Sequence, residues 1–272
     1  PVSVDISQPV SLAVPGLPRP LAILLHDERD GHVSRCIRDT GMWEPYESSL
    51  VMRLLRPGAV FLDVGANVGY FSLLAGAVVG ASGAVHAFEP DPANFALLQA
   101  SVRCNDLAGI IHTHCAALAE KSSRARLYLS EDNLGDHQIF ATDEERQSLP
   151  VELLNGADYL RPRVDRIDLV KVDTQGSEFG VIAGLIPLLR TLPELPPIII
   201  ELTPLSLRQC GQSGRGLIEC LAQLEQPFYI IDHVEHRLVA SDAVELSRWC
   251  DNVDAVPGDA GFMNILVGAP PA

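Results

Sequence analysis

Residues 60–72 read Val60-Phe61-Leu62-Asp63-Val64-Gly65-Ala66-Asn67-Val68-Gly69-Tyr70-Phe71-Ser72. A short apolar run leads into a turn with two glycines, and the turn opens a helix. Glycine permits backbone torsions and a close ligand approach that a side chain would block. The first N–H groups of the helix are free to face a ligand. Strand, glycine turn and helix in this order form a cradle for a nucleotide-like cofactor.

The residues inside the turn narrow the class of cofactor. A dinucleotide site carries G-x-G-x-x-G for its pyrophosphate. This turn reads Asp-x-Gly-x-Asn-x-Gly, with Asn67 in the place of the second glycine. An acid at the strand end suits a cationic ligand. S-adenosyl-L-methionine has an ammonium and a sulfonium but no pyrophosphate, so Asp63 is read as its electrostatic partner, directly or by orienting the loop and a water. Glu89 ends the next apolar run, where a carboxylate accepts hydrogen bonds from both ribose hydroxyls. Gly65, Asn67 and Gly69 complete the expected cofactor site, together with Ala116 at the end of the third run. Glu89 alone does not separate this reading from NAD. A Rossmann dehydrogenase is therefore the rival, and a non-catalytic binding module on the same fold is a third possibility.

Outward from the motif, apolar runs at 59–64, 84–89, 110–116, 167–173 and 197–202 alternate with helical stretches. That alternation predicts an α/β, Rossmann-like fold with a parallel sheet covered on both faces. Asp91 stands before Pro92 as a helix cap, with Phe95, Leu98 and Val102 as the apolar stripe behind it; Ser213 precedes Leu217, Ile218, Leu221 and Leu224 in the same way. Further strands are expected at 228–231, 238–240 and 262–267. Residues 1–57, weakly patterned and rich in Pro and Gly, read as a substrate-side capping segment that ends in a helix at 45–56, stopped by Pro57-Gly58. Residues 58–272 form the core, with an insertion at about 124–160. Within it RARLYLS and HQIF, joined by a polar loop, predict a hairpin over 124–140 at the open edge of the site.

Three segments, FLDVGANVGYFSLLAG (61–76), VHAFEPDPANFALLQASV (85–102) and DRIDLVKVDTQGSEFGVIAGL (165–185), stand in an order and spacing that resembles the FkbM-type methyltransferases. The resemblance covers roughly residues 57–205, with FMNILV (262–267) as a matching closing strand. It implies a seven-stranded class I methyltransferase sheet, S-adenosyl-L-methionine as donor, and O-methylation of a small-molecule natural product or sugar hydroxyl.

The second polar segment, Lys171 to Glu178, follows a buried strand and faces the same crevice. Asp173 is suited to bind the methionine end, hold a metal or accept the acceptor's proton, and Glu178 to cap the helix or line the pocket. Methyl transfer from a sulfonium needs alignment and, for a hydroxyl acceptor, a proton acceptor. His137, in the polar loop of the insertion, is the first choice for that base and Asp173 the second, with Glu201, His233 and His236 also considered. A divalent metal on Asp173, Glu178 and Glu201 is weighed and not favoured.

The remaining composition sets limits. The 272 residues are 47% hydrophobic and 20% charged, which suits one large globular domain and excludes disordered and fibrous classes. A net charge of -15 with scattered basic residues argues against nucleic acid and anionic membrane as partners and leaves a small-molecule acceptor. No membrane-length apolar run and no signal-peptide pattern occur, so a soluble, cytoplasmic protein is expected. Six singly spaced cysteines are read as reduced and mostly buried, without zinc spacing.

Overall fold

The computed structural model describes residues 8–27, 30, 32–128 and 148–271. The chain opens with two short paired strands, β1 (Val10–Ser11) and β2 (Ala22–Ile23), and two helices, α1 (Val33–Thr40) and α2 (Pro45–Leu54). The first parallel unit is β3 (Val60–Val64), α3 (Tyr70–Val79), β4 (Ala84–Phe88), α4 (Pro92–Cys104) and β5 (Ile111–His114). A small side sheet follows, made of β6 (Ala117–Ala119), β7 (Ser123–Tyr128) and β8 (Ser148–Asn155), with the short helix α5 (Gly156–Leu160). The parallel set is completed by β9 (Leu169–Val172), α6 (Glu178–Leu189) and β10 (Ile198–Leu202). Then come α7 (Pro204–Gln209), α8 (Gly214–Ala222), the hairpin β11 (Phe228–Asp232) and β12 (Arg237–Ser241), α9 (Ala243–Asp254) and β13 (Met263–Val267).

The main sheet has the order β12-β11-β13-β10-β9-β3-β4-β5. Neighbours from β5 through β10 are parallel, while β13 runs antiparallel between β10 and β11. It holds eight strands rather than the seven implied by resemblance. The additional one is β12, which folds back on β11 and pairs its outer edge over five register positions. An unpaired edge presents a row of free N–H and C=O groups, and the hairpin moves that edge outward from β11.

Register explains why these strands are apolar without alternation. Phe61, Leu169, Ile199 and Leu266 belong to one core, and their neighbours Leu62, Val170, Ile198, Ile265 and Val267 to the other. Each strand is buried on both faces, so both sets must be apolar. The first core is closed by α2, α3 and α4 and by Leu12, Ile23, Leu25 and Ile37 from the expected capping segment; the second by α6, α8 and α9. The N-terminal segment thus packs into the sheet's own core over its described residues, and it contains α1, a helix not expected from the sequence.

Two local expectations change. The partner of RARLY is β8, antiparallel with Ser123 opposite Leu153 and Tyr128 opposite Ser148; the expected return run at 137–140 lies outside the described residues. The polar Glu152 and Asn155 mask β8 in a one-dimensional pattern. Of the six free cysteines only Cys210, Cys220 and Cys250 are buried; Cys36 is half-buried and Cys104 and Cys115 are exposed. No helix among the described residues is long and apolar enough to cross a membrane.

The cap of α4 forms as read. Asp91 Oδ1 accepts from the backbone N–H groups of Ala93 and Asn94, both at 2.8 Å. Asp91→Ala leaves these donors without their partner, and the expected loss is about 1 kcal/mol of folding stability. Urea denaturation checks it: a midpoint equal to the parent's would show that the cap carries no weight.

Candidate functional site

The carboxyl ends of β3, β4, β9 and β10 open into a cavity of about 520 Å³. Its floor begins at the glycine turn. Gly65, Asn67 and Gly69 all have positive φ, of 85°, 51° and 95°. Asn67 fits this path because asparagine tolerates the left-handed region better than other residues with a side chain. At Gly65 a Cβ would run into the Asp173 carbonyl oxygen, so β3 and β9 close together here only around a glycine. The N–H groups of Gly65 and Ala66 both donate to Phe88 O, at 3.0 and 2.9 Å, which fastens the turn to the end of β4.

Glu89 sits beside this turn, 6% exposed. Its Oε2 accepts from Asn67 N–H and its Oε1 from Asp91 N–H, each at 2.8 Å. The Asn94 side chain also bonds to the Glu89 carboxylate, and the lone-pair capacity left on it can still take a hydroxyl from the cavity side. Burial pushes the Glu89 carboxyl up to about 8, against the pull of these donors. Asp63 is 1% exposed and accepts from Ser72 Oγ at 2.5 Å, which ties it to the first turn of α3. Burial pushes it up to about 6, opposed by Lys171 and Ser72.

Across the sheet lies a second polar group. Lys171, buried in the middle of β9, places its Nζ 3.2 Å from Asp173 Oδ2, 3.5 Å from Glu47 Oε1 and 4.5 Å from the centre of the Phe71 ring. Burial alone lowers the pKa of an ammonium, but Asp173, Glu47, Glu44 and Asp63 outweigh it and hold Lys171 charged, above the ordinary lysine range. Gln175 Nε2 bridges Asp173 Oδ1 at 2.9 Å and Glu201 Oε1 at 3.2 Å. Burial pushes Glu44 up to about 9 and Glu201 up to about 8, each reinforced by neighbouring carboxylates. The cavity wall thus carries five acids, Glu44, Asp63, Glu89, Asp173 and Glu201, and Lys171 as its single lysine or arginine among the described residues.

A model of the methyltransferase FkbM domain matches residues 63–231 of this chain. The chain belongs to that family. A 31-O-demethyl-FK506 methyltransferase, FkbM of Streptomyces tacrolimicus, is 31% identical over 163 residues, which cover 48% of this chain and 61% of that protein. Methyltransferase 1 of Beauveria bassiana (strain ARSEF 2860) is 27% identical over 143 residues, 46% and 57% of the respective chains. The matched stretch thus spans only about three-fifths of either relative's length. Among solved structures, the methyltransferase FkbM from Methylobacillus flagellatus KT is similar with a TM-score of 0.48 and 16% identity, over 85% of this chain and 52% of that one. Fibrillarin from Aeropyrum pernix, in complex with natively bound S-adenosyl-L-methionine, has a TM-score of 0.42 and 14% identity, over 83% and 76%.

Within this FkbM domain the residues singled out by sequence divide into three groups. Asp63, Gly65, Asn67, Glu89, Asp173 and Glu201 line the one cavity, with Gly69 directly behind the turn as the residue before α3. Ala116 is buried beside it and does not line it; Ala117 and Leu118 do. Glu178, expected as a catalytic candidate, is 1% exposed and accepts from Thr174 N–H, Thr174 Oγ1 and Gly176 N–H at 2.9–3.1 Å. Both its oxygens hold the loop that carries Asp173, and neither faces the cavity. His137 lies outside the described residues, and His236 stacks on Tyr46 at the surface. Sequence reading missed Glu44 and Glu47. Lys171 left a signal, a lone charge inside the apolar run LVKV, whereas the burial of the two glutamates depends on where α2 docks.

Removing one partner of a buried ion pair leaves the others uncompensated, at about 3 to 5 kcal/mol. Lys171→Met is expected to lose that much in urea denaturation. Adding Glu47→Met should recover part of it, and strict additivity of the two single changes would show that Lys171 and Glu47 do not interact.

Proposed function

We propose that this chain transfers a methyl group from S-adenosyl-L-methionine to a hydroxyl of a small-molecule acceptor. The observation that carries the reading is the charge of the cavity. Five carboxylates and one lysine surround a glycine turn, and the lysine is already engaged by Glu47 and Asp173. A pyrophosphate placed there finds no free lysine or arginine among the described lining residues, which disfavours the dehydrogenase reading; a ligand with an ammonium and a sulfonium favours ionisation of acids that burial otherwise keeps protonated, and so meets complementary charge. Glu89 fits a ribose because its two oxygens are held apart and aimed by backbone donors. When bound, the donor supplies a methyl group already activated on sulfur.

The chain's own work is to hold, align and take a proton. Asp63 and the turn at 65–69 orient the donor end of the cavity. Asp173 is the described residue best placed to take the acceptor's proton: it lines the cavity, its side chain is 30% exposed, and Lys171 and Gln175 fix its orientation. His137 is the alternative base proposed from sequence.

Asp63→Ala and Glu89→Ala should each weaken binding of S-adenosyl-L-methionine by roughly 1.5 to 3 kcal/mol, the range for hydrogen bonds to charged groups. Isothermal titration on variants with parent-like melting curves decides; undiminished affinity in both removes the assigned cofactor placement. A pH dependence follows from Glu89. Its folded pKa is raised, so its contribution to stability is full below about 4.5 and is lost as pH rises through about 8, while its capacity as a ribose acceptor grows over the same rise. The Glu89 contribution to donor affinity should therefore increase from pH 7 to 9, read as the difference between the parent and Glu89→Gln, which share the titration of the donor's own ammonium.

The base is assigned by a paired assay. Loss of a general base lowers turnover by about two to four orders of magnitude while donor affinity stays put. We expect Asp173→Asn to show that loss. The same loss in His137→Ala instead, with Asp173→Asn within a few-fold of the parent, moves the role to His137.

A further inference from the structure

Beside the cavity, three side chains converge at the start of α2 from two distant parts of the chain. Glu44 precedes α2, Glu47 lies in its first turn, and His233 follows β11. One ligand atom from each lies within 4.8 Å of the other two, and His233 Nε2 is 3.9 Å from Glu47 Oε2. Ligand atoms about 2.1 Å from a shared ion stand roughly 3 to 4 Å apart, so the spacing suits one cation.

A fourth residue points to the same place. Asn264 of β13 is 5% exposed, and its Nδ2 lies 2.7 Å from Glu47 Oε2, 3.3 Å from His233 Nε2 and 3.4 Å from Glu44 Oε1. An amide NH₂ has two hydrogens and here faces three acceptors. Its Oδ1 has no hydrogen-bond partner among the described residues, nor has Glu44 Oε2, nor Glu47 Oε1, which has only the Lys171 ion pair. Buried polar atoms in folded proteins are nearly always satisfied, and two acceptors without any partner, Glu44 Oε2 and Asn264 Oδ1, on residues of one cluster call for a missing positive partner.

We propose that Glu44, Glu47, His233 and Asn264 bind a divalent first-row cation of the Mn²⁺, Co²⁺ or Zn²⁺ class. Two carboxylates, one imidazole and one amide oxygen form a mixed nitrogen and oxygen set that suits these ions better than thiophilic Cu⁺ or the oxygen-only preference of calcium. Asn264 contributes by turning its amide over, which brings Oδ1 to the position now held by Nδ2. That orientation is repulsive against two carboxylates alone and favourable around a cation. Glu47 keeps Lys171 on Oε1 while Oε2 faces the ion, the outer-shell support typical of ligating carboxylates. Glu44 also lines the cavity, so the open side of the ion faces the space left for an acceptor oxygen. This last clause rests on the methyltransferase reading; the binding site itself does not.

The test uses the full chain, stripped with a chelator and titrated with Mn²⁺ while free Mn²⁺ is followed by electron paramagnetic resonance. The expected result is one ion per chain, a rise in melting temperature, and at least about tenfold weaker binding in both Glu44→Gln and His233→Ala. Glu44→Gln keeps the side-chain shape and guards against a folding defect in the histidine variant. Co²⁺ on the same protein should give a visible ligand-field band that both variants lose. The proposal is overturned if the parent binds no stoichiometric Mn²⁺, Co²⁺ or Zn²⁺, or if both variants bind as the parent does. Titration of the same samples with S-adenosyl-L-methionine separates the two questions: loss of metal binding with donor binding intact removes this site alone.

Discussion

The molecule is organised around one buried ammonium. Lys171 lies in β9, with β3 on one side and β10 on the other, and its side chain is nearly buried at the cavity wall. A lone buried charge is far too costly to persist, so the chain must bring carboxylates to it. Asp173 comes from the same strand end, but Glu47 comes from α2, more than a hundred residues earlier. That pair fixes where the N-terminal segment docks on the sheet. The segment is therefore part of the cavity wall, and its place is set electrostatically beneath the cavity as well as by the apolar contacts of Leu50 and Val51.

The carboxylates gathered there exceed what one lysine balances. Burial and mutual repulsion raise the pKa values of Glu44 and Glu201 until the free protein holds protons at neutral pH. Such a wall is neutral or anionic according to what occupies it. Ligands that carry positive charge are favoured twice: they find partners, and they relieve the repulsion among the acids.

What was legible in the sequence follows the range of the interactions. The strand and turn at 60–69, the cap Asp91, the acid Glu89 and the cap Ser213 depend on neighbours within a few residues, and each stands where its local pattern places it. Strand β8 was invisible because its inward residues alternate with Glu152 and Pro150 and its partner lies across a polar stretch. The burial of Glu44 and Glu47 was equally hidden, since PYESSL reads as a solvated first turn until the helix is set against Lys171. Glu178 shows the opposite limit. Its position after a strand suggested chemistry, and only the backbone N–H groups of the 174–176 loop reveal that its oxygens are engaged in holding the loop.

Two groups of residues in and beside the cavity wall therefore differ in kind. Around the glycine turn, Asp63, Asn67, Glu89 and Asp91 come from one stretch of about thirty residues, with the backbone N–H groups of Asn67 and Asp91 holding Glu89 and Ser72 Oγ of the same stretch holding Asp63. Beside α2, Glu44, Glu47, Lys171, His233 and Asn264 come from the start of α2, from β9, from the end of β11 and from β13, and meet through side chains alone. Backbone-held geometry is hard to alter without breaking the turn, because Gly65 admits no Cβ beside Asp173. Side-chain geometry is open to change one residue at a time. In this chain that part of the wall is a cluster of acids, an imidazole and an amide that no shared backbone turn holds together.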